Sequence, residues 1–283
     1  MRIRLENHGL PSFRQSHCQS HRPIKSLGQN FLVDQNISRK IVSALELRPT
    51  DTVFEIGAGQ GELSNLIAPK VGKLYALEID RRLYPLLIER FKIYSNVIII
   101  NQDILKCDLV NFFNEHKIKG KIKVFGNIPY YISSPIIEQL IKYREVIKEA
   151  FITVQKEFAK RIVADPGTKE YGSFSCFLRY YTIPKIIFQI NRGCFYPSPK
   201  VDSCLLHIEF REKPAVYVKN EELLFKIIRS AFNQRRKTLR NSLKGKIASE
   251  RLEGFLLKNN LNLNIRPEEL SLAEFADLAN ELF

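Results

Sequence analysis

Short apolar runs alternate with helical patterns through the first 155 residues of the chain, and few architectures accept that alternation. A strand followed by a helix and a further strand makes a unit whose two strands run parallel. The sequence therefore predicts an α/β fold built on a doubly wound parallel sheet. The five predicted strands span residues 53–56, 74–77, 97–100, 122–125 and 151–154.

The later part of the chain has a different pattern. Residues 186–190 and 204–210 predict two further strands joined by a proline-rich loop, and only helical patterns follow Pro214. Ser271 and Glu274 have the spacing of a capping box, which predicts the start of a last helix.

These patterns predict three regions. Residues 1–25 contain five Lys or Arg residues and one acid, which predicts a flexible basic N-terminal arm. A transit peptide is the alternative for this arm, because it is rich in Arg and Ser. We expect a catalytic domain over residues 26–212, in which Asp34 caps a helix that runs to about Leu47. A small all-helical domain is expected over residues 213–283.

The charge balance indicates a polyanionic partner. The chain has 44 Lys and Arg residues against 30 Asp and Glu residues, a formal net charge of +14. Such an excess favours nucleic acid first and an acidic membrane second. No apolar stretch approaches the roughly 18 residues of a membrane span, and no secretory signal is evident, so we expect no membrane association. The five cysteines include no C-x-x-C pair, which predicts a reducing, cytoplasmic location and no metal site.

Three alternating glycines follow the first predicted strand. Gly57, Gly59 and Gly61 let the backbone turn tightly and approach a ligand closely, and we expect Gly57 and Gly59 to contact a cofactor. A dinucleotide fingerprint would need glycine at position 62, where this chain has Glu62. The negative charge there is poorly placed for a pyrophosphate, whereas S-adenosylmethionine has no phosphate. The turn therefore favours S-adenosylmethionine.

Acidic residues follow or end the strands around this turn. Glu78 ends the second strand, where a carboxylate can accept two hydrogen bonds from ribose hydroxyls. Asp103 follows the third strand and is placed to accept a hydrogen bond from an adenine amino group. Glu55, just before the glycines, is expected to tolerate or orient a cationic ligand. Ligands of open α/β sheets bind at the carboxyl ends of the strands, so these acids are expected to share one site.

The fourth predicted strand leads into Asn127-Ile128-Pro129-Tyr130. The amino group of a nucleobase is a poor nucleophile, because its lone pair is delocalised into the ring. The Asn127 side-chain oxygen and a backbone carbonyl of Ile128 or Pro129 can accept hydrogen bonds from such an amine. Tyr130 can stack on the base. The segment predicts alignment of an amine with a methyl donor, without a strong general base.

With these motifs the sequence resembles the small-subunit ribosomal RNA adenine N6,N6-dimethyltransferases, from Lys25 to about Leu243. The resemblance implies a Rossmann-like, class I S-adenosylmethionine-dependent methyltransferase fold with a small C-terminal all-helical domain. Two of its segments resemble the bacterial ribosome-biogenesis branch rather than the resistance enzymes that act on large-subunit RNA. The matching segments are residues 26–32, the glycine turn, 127–130, 155–157, 171–172, 195–203 and 231–243.

The resemblance also implies the substrate and the cofactor contacts. The substrate would be two adjacent adenosines near the 3′ end of small-subunit ribosomal RNA, methylated at N6 within an immature 30S particle. Asn30 and Leu32 would lie in a segment that covers the cofactor. The implied cofactor contacts are Asn30, Leu32, Gly57, Glu78, Asp103 and Asn127.

An aromatic residue precedes the proline-rich loop. Phe195 comes before a Pro-x-Pro motif, which indicates a rigid, exposed loop. We expect its ring to stack on an extruded base opposite Tyr130. The alternative is a core aromatic beside the strand 204–210. With Asn127, Pro129 and Tyr130, Phe195 completes the predicted catalytic set.

Residues 226–246 contain eight basic residues and no acid. Phe225, Ile228, Phe232 and Leu239 fall near helical spacing, so the segment predicts helices with one apolar face and a basic remainder. Lys and Arg of such a face grip phosphates and position RNA without reading its sequence. The residues expected to bind RNA are Arg235, Arg236, Lys237 and Arg240.

Three other functions compete with methylation of small-subunit RNA. A resistance-type enzyme would act on large-subunit RNA, and a non-catalytic RNA-binding assembly factor would keep the fold without the chemistry. A nicotinamide oxidoreductase is disfavoured by Glu62 and by the segment 127–130. The chain is expected to be a monomer, because no apolar interface stripe is evident.

Overall fold

Seven strands form one central sheet in the computed structural model, which describes residues 22–234 and 236–283. A second, two-stranded ribbon lies beside it. In chain order the strands are β1 (Phe31–Leu32), β2 (Thr52–Ile56), β3 (Lys73–Leu77), β4 (Val97–Ile100), β5 (Ile122–Asn127), β6 (Ile147–Gln155), β7 (Thr182–Ile190), β8 (Phe195–Tyr196) and β9 (Ser203–Phe210).

The sheet order is β4-β3-β2-β5-β6-β9-β7. The first five of these strands run parallel, while β9 pairs antiparallel with both β6 and β7. All five strands predicted in the first half of the chain are present, and the doubly wound α/β fold is confirmed. β7 begins four residues before its predicted start and includes Pro184. It is the edge strand of the sheet, where a missing N–H is tolerated.

Helices connect the strands and form the C-terminal part of the chain. Asp34 caps α1 by accepting hydrogen bonds from the backbone N–H groups of Asn36 and Ile37, as predicted, but α1 ends at Ala44. The helices are α1 (Gln35–Ala44), α2 (Glu62–Ile67), α3 (Tyr84–Phe91), α4 (Leu109–Glu115), α5 (Ser133–Lys142), α6 (Lys156–Val163), α7 (Ser173–Tyr181), α8 (Glu221–Phe232), α9 (Leu239–Leu243), α10 (Ser249–Lys258) and α11 (Leu272–Leu282).

Two apolar clusters cover the two faces of the sheet. Along β2, Val53 belongs to one cluster and Phe54 to the other, and consecutive residues of β5 alternate in the same way. Residues on both faces are buried, as expected for parallel strands between two helical layers. Because both faces of these strands are buried, their sequences are uninterrupted apolar runs, and these runs predicted the strands.

The C-terminal helices pack directly against the catalytic part of the chain. The Phe225 ring of α8 contacts the rings of Phe177, Tyr180 and Tyr181 of α7. Helices α8 to α11 therefore share an apolar cluster with one face of the sheet. The expected capping box of Ser271 and Glu274 begins α11. The boundary at residue 213 stays a prediction.

A charged network lies where β5 and β6 begin. The Lys123 ammonium is buried and contacts Asp51 at 3.2 Å and Glu149 at 3.4 Å. It also donates to the carbonyl oxygens of Leu45 and Glu46. His207 of β9 hydrogen-bonds to Glu149 at 2.8 Å. Paired in this way, the buried ammonium keeps hydrogen-bonding partners on the chain.

Within the described ranges, none of the helices has the length and apolar character that crossing a bilayer requires.

Candidate active site

One cavity opens at the carboxyl ends of β2, β3 and β5. It is lined by six of the seven residues predicted to contact the cofactor, which come from five separate parts of the chain. Three of the four predicted catalytic residues, Asn127, Pro129 and Tyr130, line the same cavity. Carboxyl ends of parallel strands are the usual ligand edge of such sheets. The six cofactor-set residues are Asn30, Gly57, Gly59, Glu78, Asp103 and Asn127.

The glycine turn forms the floor beneath this cavity. Gly57 and Gly59 have φ angles of +77° and +59°, a region that side chains disfavour. The Gly57 and Ala58 N–H groups both donate to the carbonyl of Leu77, which ties the turn to β3. A Cβ atom on Gly59 would lie 3.2 Å from the Phe31 ring, so glycine keeps this wall of the cavity open.

Glu78 is held at the end of β3 by two backbone donors. One carboxylate oxygen accepts from the Gly59 N–H at 2.7 Å and the other from the Asp80 N–H at 2.8 Å. Burial raises the pKa of Glu78, and these hydrogen bonds oppose the rise. Each oxygen keeps further accepting capacity, which fits the predicted role toward ribose hydroxyls.

Glu55 does not face the cavity, so its predicted role toward a cationic ligand is wrong. The side chain is 2% exposed and accepts a hydrogen bond from Ser64 of α2 at 2.5 Å. Burial raises the pKa of Glu55 to about 8, which keeps the carboxyl largely uncharged near neutral pH. The residue fixes α2 against β2 instead.

Asp103 follows β4 and lines the cavity. One of its carboxylate oxygens accepts from the Leu105 N–H at 3.0 Å and caps a short 3-10 turn. Ile79 and Ile104 line the cavity too. A carboxylate between apolar side chains suits a flat aromatic ring with a donor at its edge.

The segment before β1 crosses the mouth of the cavity, and residues 27–31 line it. The Gln29 side chain accepts from the Ile24 N–H at 2.8 Å and donates to Asp80 at 3.0 Å. At the other side, the Tyr131 hydroxyl donates to the carbonyl of Ser26 at 3.3 Å. The segment is thus tied to two sides of the cavity, consistent with a cover over a cofactor.

Asn127 ends β5 with its amide fixed in one orientation. Its Nδ2 donates to the carbonyl of Asn30 at 3.1 Å. Nδ2 is therefore the hydrogen-bonded end of the amide, and Oδ1 is the end that can accept a further hydrogen bond. The Pro129 carbonyl accepts from the Ile132 N–H at 3.2 Å, which favours the Ile128 carbonyl as the second acceptor.

Tyr130 is held by a buried serine. Its hydroxyl forms a short hydrogen bond with Ser203 Oγ, and Ser203 is fully buried at the start of β9. Burial raises the pKa of Tyr130, so the phenol stays protonated at neutral pH. A protonated phenol serves to position the ring rather than to remove a proton. Sequence reasoning chose Tyr130 and missed Ser203, whose only signal was its place at the end of the 195–203 motif.

Phe195 and Leu32 face the core, which corrects the expected exposure of Phe195. Phe195 is 3% exposed, so the predicted exposure of its ring is wrong. β8 pairs antiparallel with β1, with Leu32 opposite Phe195, and both side chains join the apolar cluster beneath the ribbon. Leu32 does not line the cavity. The alternative of a core aromatic describes Phe195 correctly.

A wide basic groove lies between the catalytic part and the C-terminal helices. It is formed by α6, by the loops around residues 169 and 192–200, and by residues near α9 and α11. The sequence predicts one of its cations, Arg236. The others are scattered over five segments, so no local pattern marks them. Four acids also line the groove. Its basic residues are Lys156, Lys160, Arg161, Lys169, Arg192, Lys200, Arg236 and Arg266.

The predicted RNA-binding residues fall into different situations. Arg236 and Lys237 are exposed, while Arg235 lies outside the described residues. Arg240 forms an ion pair with Glu253 of α10, so it is not the unpaired cation that the acid-free segment indicated. Glu253 lies outside residues 226–246, so the absence of acids within that segment does not exclude this ion pair. The predicted apolar face is confirmed, since Ile228, Phe232 and Leu239 are buried.

Comparisons with known proteins agree with this geometry. Residues 20–283 match the family described as Ribosomal RNA adenine dimethylase. A Caldanaerobacter subterraneus subsp. tengcongensis protein named Ribosomal RNA small subunit methyltransferase A is 44% identical over 260 residues, or 92% of this chain and 97% of that protein.

Two solved structures have closely similar folds. A dimethyladenosine transferase from Plasmodium falciparum superposes with a TM-score of 0.71 at 26% identity, covering 88% of this chain and 95% of that one. The 23S rRNA methyltransferase ErmE has a TM-score of 0.71 at 24% identity, covering 89% and 99%, which is similarity of fold. On the family match and the 44% identity, the chain belongs to the ribosomal RNA adenine dimethylase family.

Proposed function

We propose that the chain methylates N6 of two adjacent adenosines near the 3′ end of small-subunit ribosomal RNA, using S-adenosylmethionine. The observation that carries the proposal is the fixed amide of Asn127 at the end of β5, inside the cavity with its Oδ1 left to accept a hydrogen bond. Membership of the adenine dimethylase family supports the reaction class.

The residues around the cavity fit S-adenosylmethionine. The positive-φ turn at Gly57 and Gly59 keeps side-chain atoms out of the floor. Glu78 would hold the ribose hydroxyls, and Asp103 the adenine amino group, with Ile79 and Ile104 against the ring. When bound, S-adenosylmethionine supplies a methyl group activated by a sulfonium centre.

The chain's own residues act on the amine. In the first transfer, Asn127 Oδ1 and the Ile128 carbonyl would accept hydrogen bonds from the two N6 protons, which returns lone-pair density to the nitrogen and fixes its direction. In the second transfer one N6 proton remains, and one of the two acceptors would hold it. Tyr130 would stack on the base, with its ring angle set by Ser203. No base is required before methyl transfer, because the N6 proton becomes acidic only when the nitrogen carries the added methyl group.

The RNA would be held by the basic groove. Its cations lie on both the catalytic part and the C-terminal helices, so a polyanion would contact both at once. The relative from Caldanaerobacter is named for the small subunit, which favours that RNA over the large-subunit RNA of the resistance enzymes. A monomer in the cytoplasm, acting on an immature 30S particle, completes the proposal.

The test is incubation with labelled S-adenosylmethionine and small subunits that lack the modification, followed by nucleoside analysis. We expect N6,N6-dimethyladenosine, two residues per subunit. Label in large-subunit RNA alone would favour the resistance type. Absence of label with intact donor binding would favour a non-catalytic assembly factor.

A further inference from the structure

The loop before β9 presents one aromatic ring to solvent beside the cavity. Tyr196 of β8 is 56% exposed, whereas its neighbour Phe195 is buried. The sequence predicts that Phe195 contacts a base, and the structure turns that ring inward. Tyr196 is therefore the aromatic side chain of this loop that is accessible to a ligand.

The pairing of β8 with β1 fixes the side of the ribbon on which Tyr196 lies. Tyr196 is directly opposite Phe31, and directly opposed residues of an antiparallel pair have side chains on the same face. Phe31 lines the cofactor cavity. The Tyr196 ring thus lies on the cavity side of the ribbon, and Leu32 and Phe195 lie on the core side.

The same loop reaches the basic groove. Arg192 and Lys200, on the two sides of Tyr196 in sequence, both line that groove. Arg192 donates to the Lys200 carbonyl at 3.3 Å, and Ser198 donates to the Arg192 carbonyl at 3.0 Å. Asp202 accepts from the Arg192 N–H at 3.0 Å. These bonds brace the loop, so Tyr196 lies on a fixed loop that also contributes two cations to the basic groove.

We propose that Tyr196 is a stacking platform for the unpaired base next to the target adenosine, on an RNA strand that passes from the groove into the cavity. The ligand class is a single-stranded RNA base, which an exposed tyrosine ring recognises by its flat face and without sequence preference. The inference rests on the proposed function, because it names a substrate contact of the same site.

The test uses the full chain with S-adenosylhomocysteine and an RNA hairpin that has two adjacent adenosines in its loop. The base beside them is replaced by 2-aminopurine, whose fluorescence is quenched by stacking. Tyr196→Ala is expected to weaken RNA affinity about tenfold and to abolish the quenching at the flanking position. Tyr196→Phe keeps the ring and is expected to behave as wild type.

Two controls separate stacking from other effects. Tyr196→Leu keeps apolar bulk without a flat ring, and it is expected to resemble the alanine variant. Tyr217→Ala removes another tyrosine, 80% exposed near the C-terminal helices, and is expected to leave affinity and quenching unchanged. Equal quenching in wild type and Tyr196→Ala, or affinities within twofold, would overturn the inference.

The fluorescence readout does not depend on methyl transfer. If wild-type protein quenches the flanking base yet forms no dimethyladenosine, the proposed function fails and the stacking contact stands. If it forms dimethyladenosine while Tyr196→Ala matches wild type in quenching, the stacking contact fails and the proposed function stands.

Discussion

At the scale of single residues, the site depends on side chains whose orientation is set by one hydrogen bond each. Asn127 is fixed by the carbonyl of Asn30, and Tyr130 by the hydroxyl of Ser203. Neither partner acts on the substrate in the proposed reaction. Ser203 acts through Tyr130, which makes it a positioning residue.

Ser203→Ala should slow methyl transfer while leaving donor affinity unchanged. The substitution leaves the Tyr130 hydroxyl without its partner, at a cost of about 1–3 kcal/mol, and frees the ring. Single-turnover rates, donor calorimetry and thermal unfolding measure the three effects. In a double-mutant cycle with Tyr130→Phe, the two changes should be clearly non-additive. Strict additivity would contradict the role of Ser203.

The Glu149 carboxylate should give acid sensitivity to folding. Its hydrogen bond with His207 lowers the pKa of Glu149, with Lys123 and Lys148 adding to the effect and burial opposing it. Because the folded pKa lies below the unfolded value of 4.5, this stability is present above pH 4.5 and is lost as the pH falls through the folded pKa.

Glu149→Gln tests this contribution. We expect the variant to be less stable than wild type at pH 7, since the Lys123 ammonium loses a partner, and to show a shallower loss of stability on acidification. Chemical unfolding at pH 7 and at pH 4 measures both. Parallel stability curves for the two proteins would show that Glu149 contributes nothing.

At the scale of elements, the sequence predicts the strands better than the ribbon. Residues of β2, β3, β5 and β6 are buried on both faces, and β4 at the edge is partly buried; their apolar runs mark all five strands in the sequence. The ribbon of β1 and β8 consists of two residues on each side, too short for any periodicity. The exposure of Phe195 was therefore mispredicted, since pairing with β1 decides which way its ring turns.

The sequence likewise predicts one part of the candidate site and misses another. Strand ends identified five of the six predicted cofactor residues that line the cavity, because topology brings carboxyl ends together wherever strands are parallel. The sixth, Asn30, came only from the family resemblance. Ser203 and the groove cations other than Arg236 were missed, since their proximity arises from antiparallel pairing of β9 and from packing of the C-terminal helices. Local sequence patterns contain neither contact.

The segment over the cavity is an element whose fit can be tested at Gly28. This glycine has a φ of +61°, and a Cβ atom there would lie 2.8 Å from the Tyr131 ring. Gly28→Ala should lift the segment and weaken S-adenosylmethionine binding by about tenfold or more. Calorimetry measures the change.

Gly167→Ala is the matched control for that experiment. Its φ is +84°, and nothing lies within 4 Å of the added Cβ, so it shares the backbone strain without the clash. We expect donor affinity equal to wild type. Equal loss of affinity in both variants would mean that strain, rather than the fit of the covering segment, is responsible.

At the scale of the whole molecule, the net charge of +14 is arranged so that a groove between the catalytic part and the C-terminal helices is basic. Arg236 contributes to that groove, whereas Arg240 is paired with Glu253. The charge available to RNA thus depends on where each cation lies in the fold and on the ion pairs that it forms. The number of charges in residues 226–246 does not distinguish the two arginines. The tertiary structure does, because it places one in the groove and pairs the other with an acid.

The salt dependence of RNA binding should separate these arginines. Arg236→Gln is expected to reduce the slope of log affinity against log salt by about 1, since one phosphate contact is lost. Arg240→Gln is expected to change the slope less. Fluorescence anisotropy across a salt series measures both. A larger change for Arg240→Gln would contradict the assignment of the groove as the RNA path.

The most direct test of the whole account is the single-turnover rate of methyl transfer in Asn127→Ala, measured at saturating donor and RNA. Removing Oδ1 removes an acceptor that activates the amine, so the rate should fall by about 100-fold or more. Circular dichroism should show an unchanged fold. A rate within about threefold of wild type would mean that the adenosine amine is activated elsewhere, and the proposed chemistry at the end of β5 would be wrong.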